Sequence, residues 1–245
     1  MGVMYIIKVL FVFLWLSSCY GETYHLATGE FPPFTGAQLE SQGLATKIIK
    51  HTIKKMGHQA KIEFLPWKRG YSNTLSGKYF GTFAYSKNKE RQEVWHYSKP
   101  LYQLQEIFFS QTKKNFSYES KEDLKGLIVC KPIGYNLFNL KKLVDKQFVK
   151  IERPPNMKNC FGMLKRGRVD LVMTNKETGL QVISQAGLNK YPFTASKKAF
   201  VDIGHHLMVP KNLKNSKKFI THFNEALEKA KTSGIITKFI SQYTK

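Results

Sequence analysis

The sequence predicts a two-lobed α/β fold. Three features carry that expectation: short apolar strands alternate with amphipathic helices, one helix-glycine-strand punctuation occurs in two separate stretches, and two extended segments lie where lobes could be joined. Alternation of this kind points to largely parallel sheets.

The chain opens with a leader, Met1 to Gly21. It has one positive charge at Lys8, an apolar run from Val9 to Leu16, and then Ser17, Ser18 and Cys19. The run is too short to cross a bilayer as a permanent helix, and its flanks are those of a signal peptide. Two processing routes are open: cleavage after Gly21, or lipidation at Cys19, because Leu16-Ser17-Ser18-Cys19 has the lipobox form. The first strand begins almost at once after Gly21 and would leave a lipid anchor little tether, which favours ordinary cleavage.

Thr23 to Ala27 reads as the first strand. From Gly43 to Met56, Leu44, Ile48, Ile49, Ile53 and Met56 recur at helical spacing, and Gly57 stands where a left-handed cap residue is wanted. Lys61 to Leu65 alternates as a strand, Lys68 to Leu75 forms a helix stopped by Gly77, and Tyr79 to Tyr85 returns as a strand. A second unit follows. Ser120 and Asp123 make a capping box for a short turn, and the strand Leu127 to Cys130 comes after it. Helix Asn136 to Lys146, strand Phe148 to Ile151, helix Met157 to Arg166 and strand Val169 to Thr174 complete the unit.

Tyr102 to Gln105 and Val201 to Gly204 are the extended links. Leu207 to Val209 is a further strand, and Phe219, Ile220, Phe223, Leu227 and Ala230 line one face of a long helix that needs a core to cover. The expected division is therefore lobe 1 over 22–103 and 205–245, and lobe 2 over 104–204. Two crossings between lobes suit a hinge.

Composition narrows the function. The chain has 39 Lys and Arg against 17 Asp and Glu, and losing the leader removes only Lys8 from the excess. Such a balance suits an anionic ligand, membrane surface or nucleic acid, or is simply lysine spread over solvated helix faces. An exported protein has little occasion to meet nucleic acid, so that partner is set aside. Cys130 and Cys160 remain as an even pair in an oxidising compartment and are expected to form a disulfide closing a loop of about 30 residues, the alternative being two buried thiols.

Motifs for catalysis are absent: there is no Gly-x-x-x-x-Gly-Lys loop, no Gly-x-Ser-x-Gly elbow and no His-Glu-x-x-His helix. His205 and His206 are adjacent on a strand, so they point to opposite faces and make a poor metal clamp. No cofactor or metal is expected.

Several segments together resemble a known family. They are Gly29-Glu30-Phe31-Pro32-Pro33-Phe34 after the first strand, Gly77 to Tyr85 leading to Glu90-Arg91, Tyr97-Ser98-Lys99-Pro100-Leu101-Tyr102, Gly167-Arg168-Val169-Asp170-Leu171-Val172, and the closing helices. In this order and spacing, from about Thr23 to Tyr243, the chain resembles the bacterial extracellular solute-binding proteins of family 3, with their type 2 periplasmic-binding fold and two hinge strands.

The resemblance implies a ligand held between the lobes. Arg91 falls where a guanidinium grips a ligand carboxylate, Ser86 beside Tyr85 supplies a neighbouring hydroxyl, and Phe31, with Phe34 close by, stands where an aromatic wall is common. A planar fork matches two carboxylate oxygens and keeps its charge when buried. Pro66-Trp67-Lys68-Arg69-Gly70-Tyr71 opens a helix at the carboxyl end of a strand and resembles a Pro-Trp-x-Arg stretch in one branch of the family, making Trp67 and Arg69 candidates. Lys131-Pro132-Ile133-Gly134-Tyr135 matches the loop of the second lobe whose amides complete the site, with Gly134 allowing close approach.

Asn175 departs from the pattern. Amino-acid binders of the family carry a carboxylate there for the ligand's ammonium group, and a neutral amide would leave that charge unpaired unless Glu177 or another acid replaced it. The expected ligand is thus anionic, or uncharged where an amino acid is cationic. An ABC permease or a membrane sensor would be a separate chain, and the protein itself is expected to be a periplasmic or extracellular monomer. Enzymes of a dehydratase type also use this fold. They need a placed acid or base, for which Glu30, Glu90 and Glu177 are the candidates.

Overall fold

The computed structural model describes residues 21–243. The segment read as a leader, with Cys19 as its candidate lipidation site, therefore lies outside the described residues, apart from Gly21. No helix among the described residues is long and apolar enough to cross a membrane.

One continuous sheet organises the chain. At its first end β1 (Thr23–Thr28) lies between β2 (Gln59–Phe64) and β3 (Gly81–Tyr85), both parallel to it. At the other end β6 (Ile128–Cys130) lies between β7 (Lys150–Glu152) and β8 (Leu171–Thr174), again in parallel. Two ten-residue strands join the ends, β5 (Tyr102–Gln111) and β10 (Val201–Pro210). Their first halves pair antiparallel, with Tyr102 opposite His205 and Glu106 opposite Val201. Beyond that pairing β10 continues onto β3 and the short β4 (Trp95–Tyr97), and β5 continues onto β8 and β9 (Phe193–Ala195). The extended segments read at Tyr102 to Gln105 and Val201 to Gly204 are thus the starts of long strands, and the strand read at Leu207 to Val209 is the far part of the second.

The helices follow the apolar spacing. α1 (Leu44–Lys55) buries Leu44, Ile48, Ile49 and Ile53 against Leu26 and Phe83. Gly57, at φ +85°, turns the chain back toward β2 in a conformation that a Cβ would strain. α7 (Ser216–Thr232) places Phe219, Phe223 and Leu227 in the same core, and α8 (Ile235–Ser241) adds Ile236. At the other end the strand period decides: neighbours Phe108 and Phe109 on β5 face opposite sides of the sheet and enter separate cores. Phe109 packs with α5 (Met157–Lys165), and Phe108 with Leu124, Val129 and Leu140.

Several expected elements are shorter than the pattern suggests, among them the strands expected from Phe148 and Val169, which begin at Lys150 and Leu171. The helix expected over Asn136 to Lys146 is only α4 (Leu140–Asp145). Asn136 Oδ1 accepts the N–H of Phe138 at 2.8 Å, and Phe138 sits at φ +53°, so the segment closes into a turn before helix can start. The strand expected from Tyr79 begins at Gly81; just before it the N–H of Phe80 donates to the carbonyl of His25 and its ring packs on Tyr24 and Phe219. α2 (Trp67–Leu75), α3 (Lys89–Val94) and α6 (Lys176–Gln185) complete the fold.

The expected disulfide is present. Cys130, the last residue of β6, is bonded to Cys160 of α5 with their Cα atoms 5.5 Å apart, and both are fully buried. It staples a strand to the helix covering it. Replacing both cysteines by serine is expected to cost about 3 kcal/mol by loop-closure entropy. Urea unfolding of the double variant checks this, and an unchanged midpoint would show that the bridge adds nothing.

Candidate functional site

Where β5 and β10 run side by side, a cavity of about 40 Å³ lies between the two ends of the sheet. The first end contributes Phe31, Trp67, Tyr85, Ser86 and Arg91. The second contributes Lys131, Gly134, Tyr135, Asn136 and Phe138, while β5 adds Glu106 and β10 adds Ile203 and His205. The space admits only a few atoms, so a larger ligand requires the walls to part.

Aromatic rings form most of the wall, and glycine makes their approach possible. The indole of Trp67 lies edge-on to Tyr85 at 5.1 Å and to Tyr135 at 6.1 Å between centroids, and its Nε1–H donates to the carbonyl of Glu30 at 3.3 Å. A Cβ on Gly29 would stand 2.5 Å from that ring. Gly134, at φ +85°, brings the second end to within van der Waals reach of Trp67. Phe31 stacks on the His205 imidazole at 5.5 Å, and His205 in turn stacks on Tyr102 at 5.1 Å.

Arg91 is set by α3, whose first N–H groups are capped by Asn88: its side chain accepts the Arg91 amide at 2.8 Å. The guanidinium lies 5.0 Å from the centroid of the Tyr85 ring and 5.8 Å from that of Tyr71. It donates to the carbonyl of Ser86 at 3.2 Å and, across the cavity, makes a long 3.5 Å contact with the carbonyl of Gly134. Asn136 makes a second crossing, donating from Nδ2 to Ser86 Oγ and to the Lys87 carbonyl, each at 3.2 Å. Among the described residues no carboxylate pairs with Arg91.

A different ion pair is buried in the same wall. The Lys131 ammonium binds the Glu106 carboxylate, with both side chains almost wholly buried. Burial drives the Lys131 pKa down, opposed by attraction to Glu106 and reinforced by the nearby Arg153. Arg153 is held outside the cavity by a bond to the Tyr135 carbonyl at 3.0 Å. Burial also pushes His205 down to about 3, with His206 and Lys131 acting in the same direction, so the imidazole is neutral at neutral pH. Its Nδ1 has no hydrogen-bond partner among the described residues. The phenols of Tyr85 and Tyr135 are raised by burial and stay neutral as well.

Seven of the ten residues singled out as ligand candidates meet at this cavity, namely Phe31, Trp67, Tyr85, Ser86, Arg91, Gly134 and Tyr135. The other three stand elsewhere. Phe34 is buried behind Phe31, stacked on Tyr102 at 4.9 Å, because the chain turns back after Phe31 and carries it into the core. Arg69 is exposed on α2, two positions past Trp67 and so on another face of the helix. Asn175 caps α6: its Oδ1 accepts the N–H of Thr178 at 2.8 Å, and its Nδ2, fully buried, has no hydrogen-bond partner among the described residues.

Glu30, Glu90 and Glu177 do not line the cavity either; the carboxylate there is Glu106. Sequence reasoning did not name Ala84, Glu106, Lys131, Asn136, Phe138, Ile203 or His205 as ligand candidates, although all line the cavity. One signal was available: Glu106 directly precedes the apolar run Ile107-Phe108-Phe109, and an acid leading a buried strand needs a partner.

Comparison with known proteins agrees with this architecture. The family model for bacterial extracellular solute-binding proteins, family 3, matches residues 26–245. The L-cystine-binding protein TcyA of Bacillus subtilis (strain 168) is 22% identical over 223 residues, covering 88% of this chain and 78% of TcyA. An ancestral arginine-binding protein solved with arginine superposes with a TM-score of 0.77 at 24% identity, over 91% of this chain and 98% of that one. A histidine kinase sensor domain with similarity to periplasmic binding proteins superposes with a TM-score of 0.78 at 14% identity, over 92% and 97%. These structural likenesses describe the fold, which is the type 2 periplasmic-binding fold. With the family match spanning nearly all of the described residues, the chain belongs to the bacterial extracellular solute-binding proteins of family 3.

Proposed function

We propose that the protein captures a small carboxylate-bearing solute by closing lobe 1 (22–103 and 205–245) on lobe 2 (104–204), and releases it unchanged to a separate membrane chain. The observation that carries the reading is Arg91, a guanidinium at the cavity wall with hydrogen bonds to carbonyls of both ends of the sheet and no carboxylate partner among the described residues. A ligand carboxylate would supply that partner.

Closure needs a ligand that touches both lobes only when they meet, because only differential affinity moves an open–closed equilibrium. β5 and β10 are the connections that would bend. TcyA is named for cystine and the ancestral protein was solved with arginine, so amino acids belong in any ligand panel. Against an ordinary α-amino acid stands the wall itself, whose carboxylate, Glu106, is already bound by Lys131. The membrane partner would be an ABC permease or a sensor.

Unfolding freshly purified protein and identifying any released small molecule by mass spectrometry tests the reading, together with a thermal-shift panel of amino acids and organic acids. The expected outcome is a carboxylate without a free ammonium group, stabilising the protein more than any standard amino acid does. Tight calorimetric binding of a standard amino acid would overturn the charge preference.

A further inference from the structure

We propose that the buried Glu106–Lys131 pair sets the charge of the ligand the cleft accepts, selecting a net charge of minus one. The inference rests on the carboxylate-capture reading above and specifies the class of acid taken.

Three charged side chains line the cavity: Arg91, Lys131 and Glu106. Two cations against one carboxylate leave a single positive charge, since His205 is neutral and the phenols of Tyr85 and Tyr135 are un-ionised. Closure on a ligand brings it against the aromatic faces of Phe31, Trp67 and Tyr135, where a net charge left unmatched is costly. A monoanion balances the cavity. A zwitterion leaves it positive, and a dianion brings one charge too many. Lys131 also occupies Glu106, the one carboxylate in the wall to which a ligand ammonium could bind. The pair therefore acts twice: Glu106 cancels the second cation, and Lys131 denies an ammonium group its acceptor.

This makes Glu106 and Lys131 specificity residues whose single and joint replacement have different consequences. Glu106→Gln leaves two cations and should favour dianions. Lys131→Met frees the Glu106 carboxylate and should favour a ligand carrying an ammonium group. Glu106→Gln with Lys131→Met restores one net positive charge, and it removes both charges of the buried pair together, so that neither is left unpaired.

The experiment is calorimetric titration with three four-carbon acids, butyrate (monoanion), succinate (dianion) and 2-aminobutyrate (zwitterion). They are measured against the wild-type protein, the two single variants, the double variant and Arg91→Ala. Wild type and the double variant are expected to prefer butyrate. Glu106→Gln should shift the succinate-to-butyrate affinity ratio by about tenfold or more, and Lys131→Met should shift the 2-aminobutyrate ratio likewise. If a single variant does not fold, the other single variant compared with the double variant still reads the order.

The two levels of the reading fail differently. No binding of any acid, or binding that survives Arg91→Ala, overturns carboxylate capture itself. Binding that depends on Arg91 but keeps one order of preference in every folded variant leaves capture standing and overturns the charge assignment alone.

Discussion

Replacing Arg91 with alanine is expected to weaken ligand binding by about 2–5 kcal/mol, or roughly thirty- to several-thousand-fold, while leaving the fold intact. The size follows from what the truncation leaves behind: a ligand carboxylate closed into an aromatic-walled cavity with no fork to meet it. The fold should survive because Arg91 makes no ion pair among the described residues, and its helix is capped by Asn88 through the main chain, which alanine keeps. Its contacts with the Ser86 and Gly134 carbonyls and the Tyr85 face are partly solvated, so their loss should move the melting temperature little. Arg91→Lys separates charge from shape. Lysine retains the cation and loses the planar fork, so an intermediate loss is expected. Calorimetry with the molecule released from the purified protein provides the measurement, and undiminished affinity in Arg91→Ala would remove the carboxylate assignment.

How far the site could be read from the sequence depended on how local its causes are. α1 and α7 were legible because Leu44, Ile48 and Ile53, and Phe219, Phe223 and Leu227, repeat at the period of one buried face. The disulfide was legible from parity and compartment. α6 was not, because its pattern is interrupted by Gly179, and the reason for that glycine lies on another element: a Cβ there would stand 2.2 Å from the Phe109 ring. β4 and β9, three residues each, exist only because β10 and β5 run past them.

The cavity divides in the same way. Arg91, Ser86 and Phe31 lie in stretches that resemble the family. Glu106 and His205 come from the two joining strands, about a hundred residues apart, and only their pairing brings them to one wall. Asn136 was hidden by its neighbours: a segment with apolar spacing reads as helix, whereas its amide builds a turn and then reaches across to Ser86.

Acid should destabilise this protein through the two histidines of β10 before most carboxylates titrate. His205 is held down to about 3 and His206 to about 4, both chiefly by burial. Around His205 the nearby charges, His206 and Lys131, lower it further. Around His206 a hydrogen bond from Nδ1–H to the Ser98 carbonyl at 2.8 Å partly opposes the burial, while Lys87 and Lys231 add to it. The sign follows from proton counting. Below about 6.5 the unfolded chain takes up protons on both imidazoles and the folded chain does not, so stability is complete above that pH and drains away as pH falls toward the folded values. Even half of the combined shift amounts to on the order of 4 kcal/mol, a large part of the stability of an ordinary domain.

The variant that isolates the effect is His205→Phe with His206→Asn. Phenylalanine keeps the stack between Phe31 and Tyr102 and removes the titrating ring, whose Nδ1 has no hydrogen-bond partner among the described residues, while asparagine retains a donor for the Ser98 carbonyl. Urea unfolding between pH 7 and pH 4 should then show a steep loss in the wild-type protein and a shallow one in the double variant. Parallel losses would mean that carboxylates, and not these imidazoles, govern the acid response.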